Sequence, residues 1–142
     1  MNWGKMKLII YAENRTEMEK KLTLSIQDKL PKIQIDTITS INDLSRILGR
    51  PLSRIAVMVI FVTCQKEIDQ WLGLKSLFDN IRLILVLPDR TKGMVTSGLQ
   101  LHPSFISYSD SDYLDITSVL KKMYQRTKAV MEWQGDTTID GD

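Results

Sequence analysis

The chain has 142 residues, 43% of them hydrophobic and 25% charged, and a formal net charge of +2. That is the make-up of one soluble globular domain, long enough to bury roughly two-thirds of its unfolded surface in a single core. The lone Cys64 excludes an internal disulfide, and one cysteine with one histidine, His102, excludes a Cys/His zinc site.

The segment from Trp133 to Asp142 holds Asp136, Asp140 and Asp142 and no base. The remainder keeps a mild basic excess, too diffuse to predict nucleic-acid binding. No stretch reaches the roughly 18 apolar residues of a membrane span. The N-terminus leads into only a short apolar run, Leu8 to Ala12, without the length or cleavage site of a signal peptide. A cytoplasmic domain with no membrane association is expected.

Along the chain, apolar runs alternate with helical periodicity. Leu8 to Ala12 has the near-continuous apolar character of a strand buried on both faces. Thr16-Glu17-Met18-Glu19 matches a capping box, and Met18, Leu22, Ile26 and Leu30 then form one helical stripe that Pro31 ends. Ile33 to Thr39 alternates imperfectly and predicts an edge strand. Ser40 opens a short helix carrying Ile41, Leu44 and Ile47 or Leu48, with Gly49 and Pro51 as its stop. Ile55 to Val62 is apolar throughout, which predicts the central strand. A third helix carries Ile68, Trp71, Leu72 and Phe78 on one face. Leu83 to Leu87 is the next buried strand, closed by Pro88-Asp89. A weak helix with Met94, Val95 and Leu99 follows, interrupted by Gly93 and Gly98. Phe105 to Tyr108 predicts a fifth strand, and Tyr113 to Met131 a long last helix with Leu114, Val119, Leu120 and Met123 inside.

Strands rich in Ile and Val, separated by helices, predict a parallel sheet covered on both faces. With right-handed crossovers, five such units give a three-layer α/β/α sandwich with the flavodoxin-like strand order 2-1-3-4-5. Residues 1–132 form the single domain, and 133–142 an acidic tail expected to be disordered.

In such a sheet ligands sit beyond the C-terminal ends of the strands. Five β/α units of this length make residues 6 to 130 resemble the receiver domains of two-component response regulators. The resemblance implies two acids at the end of strand 1, a phospho-accepting Asp at the end of strand 3, a Thr or Ser after strand 4 and a Lys after strand 5. Here those places hold Ala12 and Glu13, Thr63-Cys64 with no acid before Glu67, Leu87 or Pro88, and Tyr108. Mg²⁺ needs carboxylate oxygens, and phosphoryl transfer needs an acceptor and a facing cation. The resemblance is therefore to a degenerate receiver: no enzyme, no metal and no cofactor, acting in signalling through protein–protein contacts.

Receivers commonly use the face formed by helix 4, strand 5 and helix 5 for dimerisation or output. Met94, Tyr108, Tyr113, Lys121, Lys122, Tyr124 and Arg126 would make that face here, binding a protein partner or a second copy. Tyr113 and Tyr124 are expected on its solvent side. The alternative is a small-anion or nucleotide site in the strand-end crevice, lined by Glu13, Asn14, Arg15, Thr63, Asp89, Arg90 and Lys92. A Cys64–His102 dyad is disfavoured, because His102 precedes strand 5 and Cys64 follows strand 3. Asp110, Asp112 and Asp115 suit the dipole at the start of the last helix.

Overall fold

A computed structural model of the chain describes residues 7–12, 17–31, 33–48, 56–78 and 81–126. The apolar runs form five parallel strands: β1 (Lys7–Tyr11), β2 (Gln34–Ile38), β3 (Ala56–Phe61), β4 (Ile81–Leu87) and β5 (Phe105–Tyr108). Their spatial order is β2-β1-β3-β4-β5, the expected flavodoxin-like arrangement. β3 lies at the centre, as its unbroken apolar run requires, and β2 at an edge, where Lys7 and Asp36 pair at 3.1 Å. Ile55, Thr16, Gly49, Pro51 and the 133–142 segment lie outside the described residues.

Alternate residues of the inner strands feed two cores, which is the period-two geometry of a strand covered on both sides. Leu8, Ile10, Val57, Val59, Ile84 and Val86 face α1 (Glu17–Lys29) and α5 (residues 114–126). Ile9, Met58, Ile60, Leu83, Leu85 and Leu87 face α2 (Ile41–Leu48), α3 (Gln65–Gly73) and α4 (Lys92–Leu99). The stripe Leu22–Ile26–Leu30 buries α1 against the first face, and α1 stops before Pro31, whose ring cannot continue a helix. Ser40 caps α2, its Oγ accepting the Asp43 N–H at 3.2 Å. No helix among the described residues is long and apolar enough to cross a membrane.

Three local expectations change. Phe78 is not on α3 but in the 3₁₀ turn Lys75–Phe78, which folds its ring back to 5.7 Å from that of Trp71. Gly93 and Gly98 do not interrupt α4, since both lie inside it. Gly98 is what lets α4 lie close on β4: a Cβ there would stand 3.4 Å from both Leu85 Cδ1 and Leu87 Cδ1.

The third change is at the start of α5. Tyr113 was expected on the solvent side and Leu114 inside, but Tyr113 is 1% exposed and Leu114 52%. The helix begins one residue later than its periodicity suggests, and Tyr113 precedes it in the left-handed region at φ 66°. That backbone turns the ring into the core, edge-on to Phe61 at 6.1 Å, with Lys21 Nζ 5.6 Å from its centroid. The buried stripe of α5 is then Ile116, Leu120 and Met123, with Thr117 sharing a 3.2 Å hydroxyl contact with Ser25 of α1.

Candidate functional site

The C-terminal ends of all five strands lie at one end of the parallel sheet, and the loops leaving β3, β4 and β5 are described there. β1 is followed by Ala12, buried and bonded through its N–H to Ile38 O at 3.1 Å, so that position offers no side-chain ligand. Glu13, Asn14 and Arg15, three of the seven crevice candidates, lie outside the described residues.

β3 runs on through Val62, whose N–H donates to Val86 O at 2.9 Å, to exposed Thr63 and Cys64. Cys64 is the N-cap of α3 in extended conformation, with no side-chain cap hydrogen bond. Glu67, in the first turn of α3, reaches back past that cap to Thr63. Its carboxylate accepts the Thr63 Oγ1 hydrogen at 2.6 Å and the Thr63 N–H at 3.2 Å. This is capping-box logic displaced by one residue, with an acid in the first helical turn reaching back to an orphan amide. A carboxylate does therefore stand at the end of β3, brought there by the helix rather than by the strand.

After β4, Leu87 is fully buried and offers no hydroxyl. Asp89 accepts both the Thr91 hydroxyl, at 2.6 Å, and the Thr91 N–H, at 2.9 Å, and these hydrogen bonds hold its carboxyl below the ordinary carboxylate value. Arg90 crosses to the β5–α5 loop. Its guanidinium donates to Asp110 at 2.8 Å and lies 4.1 Å from the centroid of the Tyr108 ring, a salt bridge combined with a cation–π contact. Lys92, the first residue of α4, is exposed.

The structure thus gathers Asp89 and Arg90 at the end of β4 and sets Thr63 at the end of β3, but each is turned to a neighbour in its own or the next loop. An incoming anion would have to compete with Asp110 for Arg90. Among the described residues no group of three or more His, Cys, Asp or Glu is arranged to hold a metal. Cys64 and His102 lie at opposite ends of the parallel strands, Cys64 after β3 and His102 before β5, so they form no dyad.

Of the face expected from helix 4, strand 5 and helix 5, Met94 is buried against the sheet at 7% exposure and Tyr113 is core. Tyr108 is half-buried beneath Arg90, and Tyr124 is half-buried beside α1. Lys121, Lys122 and Arg126 are exposed on α5. At its start, Asp115 is occupied by the hydroxyls of Ser107 and Ser111, at 2.7 and 3.1 Å, and Asp112 by the Leu114 N–H at 3.0 Å.

Sequence reasoning did not find the Glu67–Thr63 and Arg90–Asp110 partnerships. Glu67 carried a signal, an acid in a first helical turn. The partnership of Arg90 with Asp110, twenty residues apart, carried none until β4 and β5 were paired.

The Arg90 hydrogen bond holds the Asp110 carboxyl below its ordinary value, and the same contact raises the guanidinium. A depressed folded-state pKa contributes stability above the unfolded-state value and loses it as pH falls through the folded one. Acidification below the ordinary Asp range is therefore expected to release this clasp. Amide exchange at Ser109–Ser111, corrected for the intrinsic pH dependence, should rise there in the wild type and be raised already at neutral pH in Arg90→Gln.

No family model matches the sequence, and no curated protein matches it.

Proposed function

We propose that the chain is a receiver-like signalling module that carries out no phosphoryl chemistry and acts through protein–protein contacts. The sheet order 2-1-3-4-5 is compatible with the receiver resemblance, although other flavodoxin-like domains share it. The observation that carries the proposal is the inward pairing of the strand-end polar groups: Thr63 with Glu67, Asp89 with Thr91, and Arg90 with Asp110. A phosphoryl site needs a carboxylate free to attack or to bind Mg²⁺, with a cation facing the transferred group. Here the Glu67 carboxylate, in the first turn after β3, has its oxygens on Thr63, and the Arg90 guanidinium is neutralised by Asp110. The exposed bases of α5 then offer the polar rim of a protein contact.

Incubation of the chain with acetyl phosphate and Mg²⁺, followed by intact mass measurement, is expected to show no added phosphoryl group. A stable adduct on Glu67, or on any residue flanking Thr63, would overturn the proposal in favour of a phosphorylated switch.

A further inference from the structure

We infer that the chain binds its own C-terminal segment, with Trp133 seated in the apolar cavity beside Tyr124 as the anchor of a strap across the ends of α1 and α5. The inference goes beyond the signalling reading and does not rest on it.

The cavity measures about 190 Å³ and is lined by Lys29, Leu30, Pro31 and Ile33, where α1 gives way to β2, and by Tyr124 of α5. Leu30 and Ile33 are buried, Tyr124 is half-buried, and Lys29 and Pro31 are exposed, so the floor is apolar and the mouth wet. A cavity of roughly 150 Å³ takes benzene, and an indole is that ring with a five-membered ring fused to it. Tryptophan suits a site with one apolar and one wet end, because its N–H can stay at the mouth.

The place also fits. In a parallel sheet each crossover helix returns the chain to the N-terminal ends of the strands. The end of α1, the start of β2 and the end of α5 therefore meet there, and the described part of α5 stops two residues after Tyr124. Trp133 follows Tyr124 by nine residues, and nine extended residues span about 30 Å, ample for the chain to turn back. It is the one aromatic residue in 127–142.

β1 starts at the same end, so Trp3, shortly before Lys7, is the rival occupant. Charge selects between them. Lys29 lines the cavity, and exposed Lys121 lies one turn before Tyr124 on the same side of α5; these two bases outweigh Asp28, the acid beside Lys29. Trp133 lies between Glu132 and Asp136, with Asp140 and Asp142 beyond, and no base follows Lys128. Trp3 is followed by Lys5 and Lys7. The bases around the cavity attract the first segment and repel the second.

Nuclear Overhauser spectroscopy of the full wild-type chain is expected to show cross-peaks from the Trp133 indole to the Leu30 and Ile33 side chains, unchanged on dilution. Trp133→Ala assigns that indole and should shift the Lys29, Leu30 and Ile33 amides, whereas Trp3→Ala should leave them in place. The emission lost in Trp133→Ala should be that of a sheltered indole, quenched by acrylamide several-fold less than free tryptophan. The wild-type cross-peaks decide the matter even where a variant does not fold. Cross-peaks from Trp3 instead, cross-peaks lost on dilution because a second copy supplies the ring, or a Trp133 quenched as freely as the amino acid, overturn the inference.

Discussion

Tyr113→Ala is expected to lower the unfolding free energy by about 3–5 kcal/mol, the range for deleting a buried aromatic ring. The ring is the lid of the core between the sheet and the α1–α5 layer. It is 1% exposed and packs edge-on to Phe61 at an interplanar angle of 83°. Its hydroxyl matters far less: the bond to Ser109 O is 3.4 Å long, so Tyr113→Phe should cost about 1 kcal/mol or less. Burial, and then the Asp110 and Asp115 charges, push that hydroxyl's pKa up. Urea unfolding followed by circular dichroism separates the two variants. Near-equal midpoints for Tyr113→Ala and wild type would show that the ring is not in the core. A charged residue at this position would report on folding and not on association, the opposite of what its expected solvent-side placement implied.

On the other face of the sheet, Trp71→Ala should cost a similar 3–5 kcal/mol or so. Trp71 is 3% exposed and stands between two rings, Tyr11 at 4.7 Å in an edge-on pair and Phe78 at 5.7 Å. It is the clamp that holds α3 and the following 3₁₀ turn to β1, so its loss leaves a cavity that neither neighbour can close without moving backbone. Trp71→Phe retains most of the contact and should cost about 1–2 kcal/mol by the smaller volume change. A Trp71→Ala midpoint within experimental error of wild type would contradict this packing.

The fold was legible because its signal is redundant. Every residue of the run Ile55 to Val62, which contains β3, is apolar, and only a strand covered on both faces tolerates that, so the centre of the sheet could be named before its neighbours. Pro31 and Pro88 marked the breaks after α1 and β4, whereas Gly93 and Gly98 lie inside α4. Where a single residue decided the phase, the pattern misled. The apolar periodicity of α5 is compatible with a start at Tyr113 or at Leu114, and the choice reverses which of the two is buried. The deciding fact, a positive φ at a non-glycine residue, has no signature in composition. The candidate site was legible chiefly in its departures from the receiver pattern, because strand ends are fixed by the fold. How the remaining polar groups pair was not legible, because Arg90 and Asp110 meet only after β4 and β5 are in register, and Glu67 reaches Thr63 only once α3 has a first turn.

The central claim of the proposal is that the pairs Thr63–Glu67, Asp89–Thr91 and Arg90–Asp110 hold these described strand-end groups away from phosphoryl transfer. Amide-shift mapping of the ¹⁵N-labelled chain through a titration to millimolar Mg²⁺, with and without inorganic phosphate, tests it most directly. Small, non-saturating shifts are expected at Ala12, Thr63, Cys64 and Ser109, with the Thr63 amide keeping the position set by Glu67. A saturable shift centred on Thr63 and Glu67 at submillimolar Mg²⁺ would contradict the account, because it would show that the carboxylate leaves Thr63 to hold a metal.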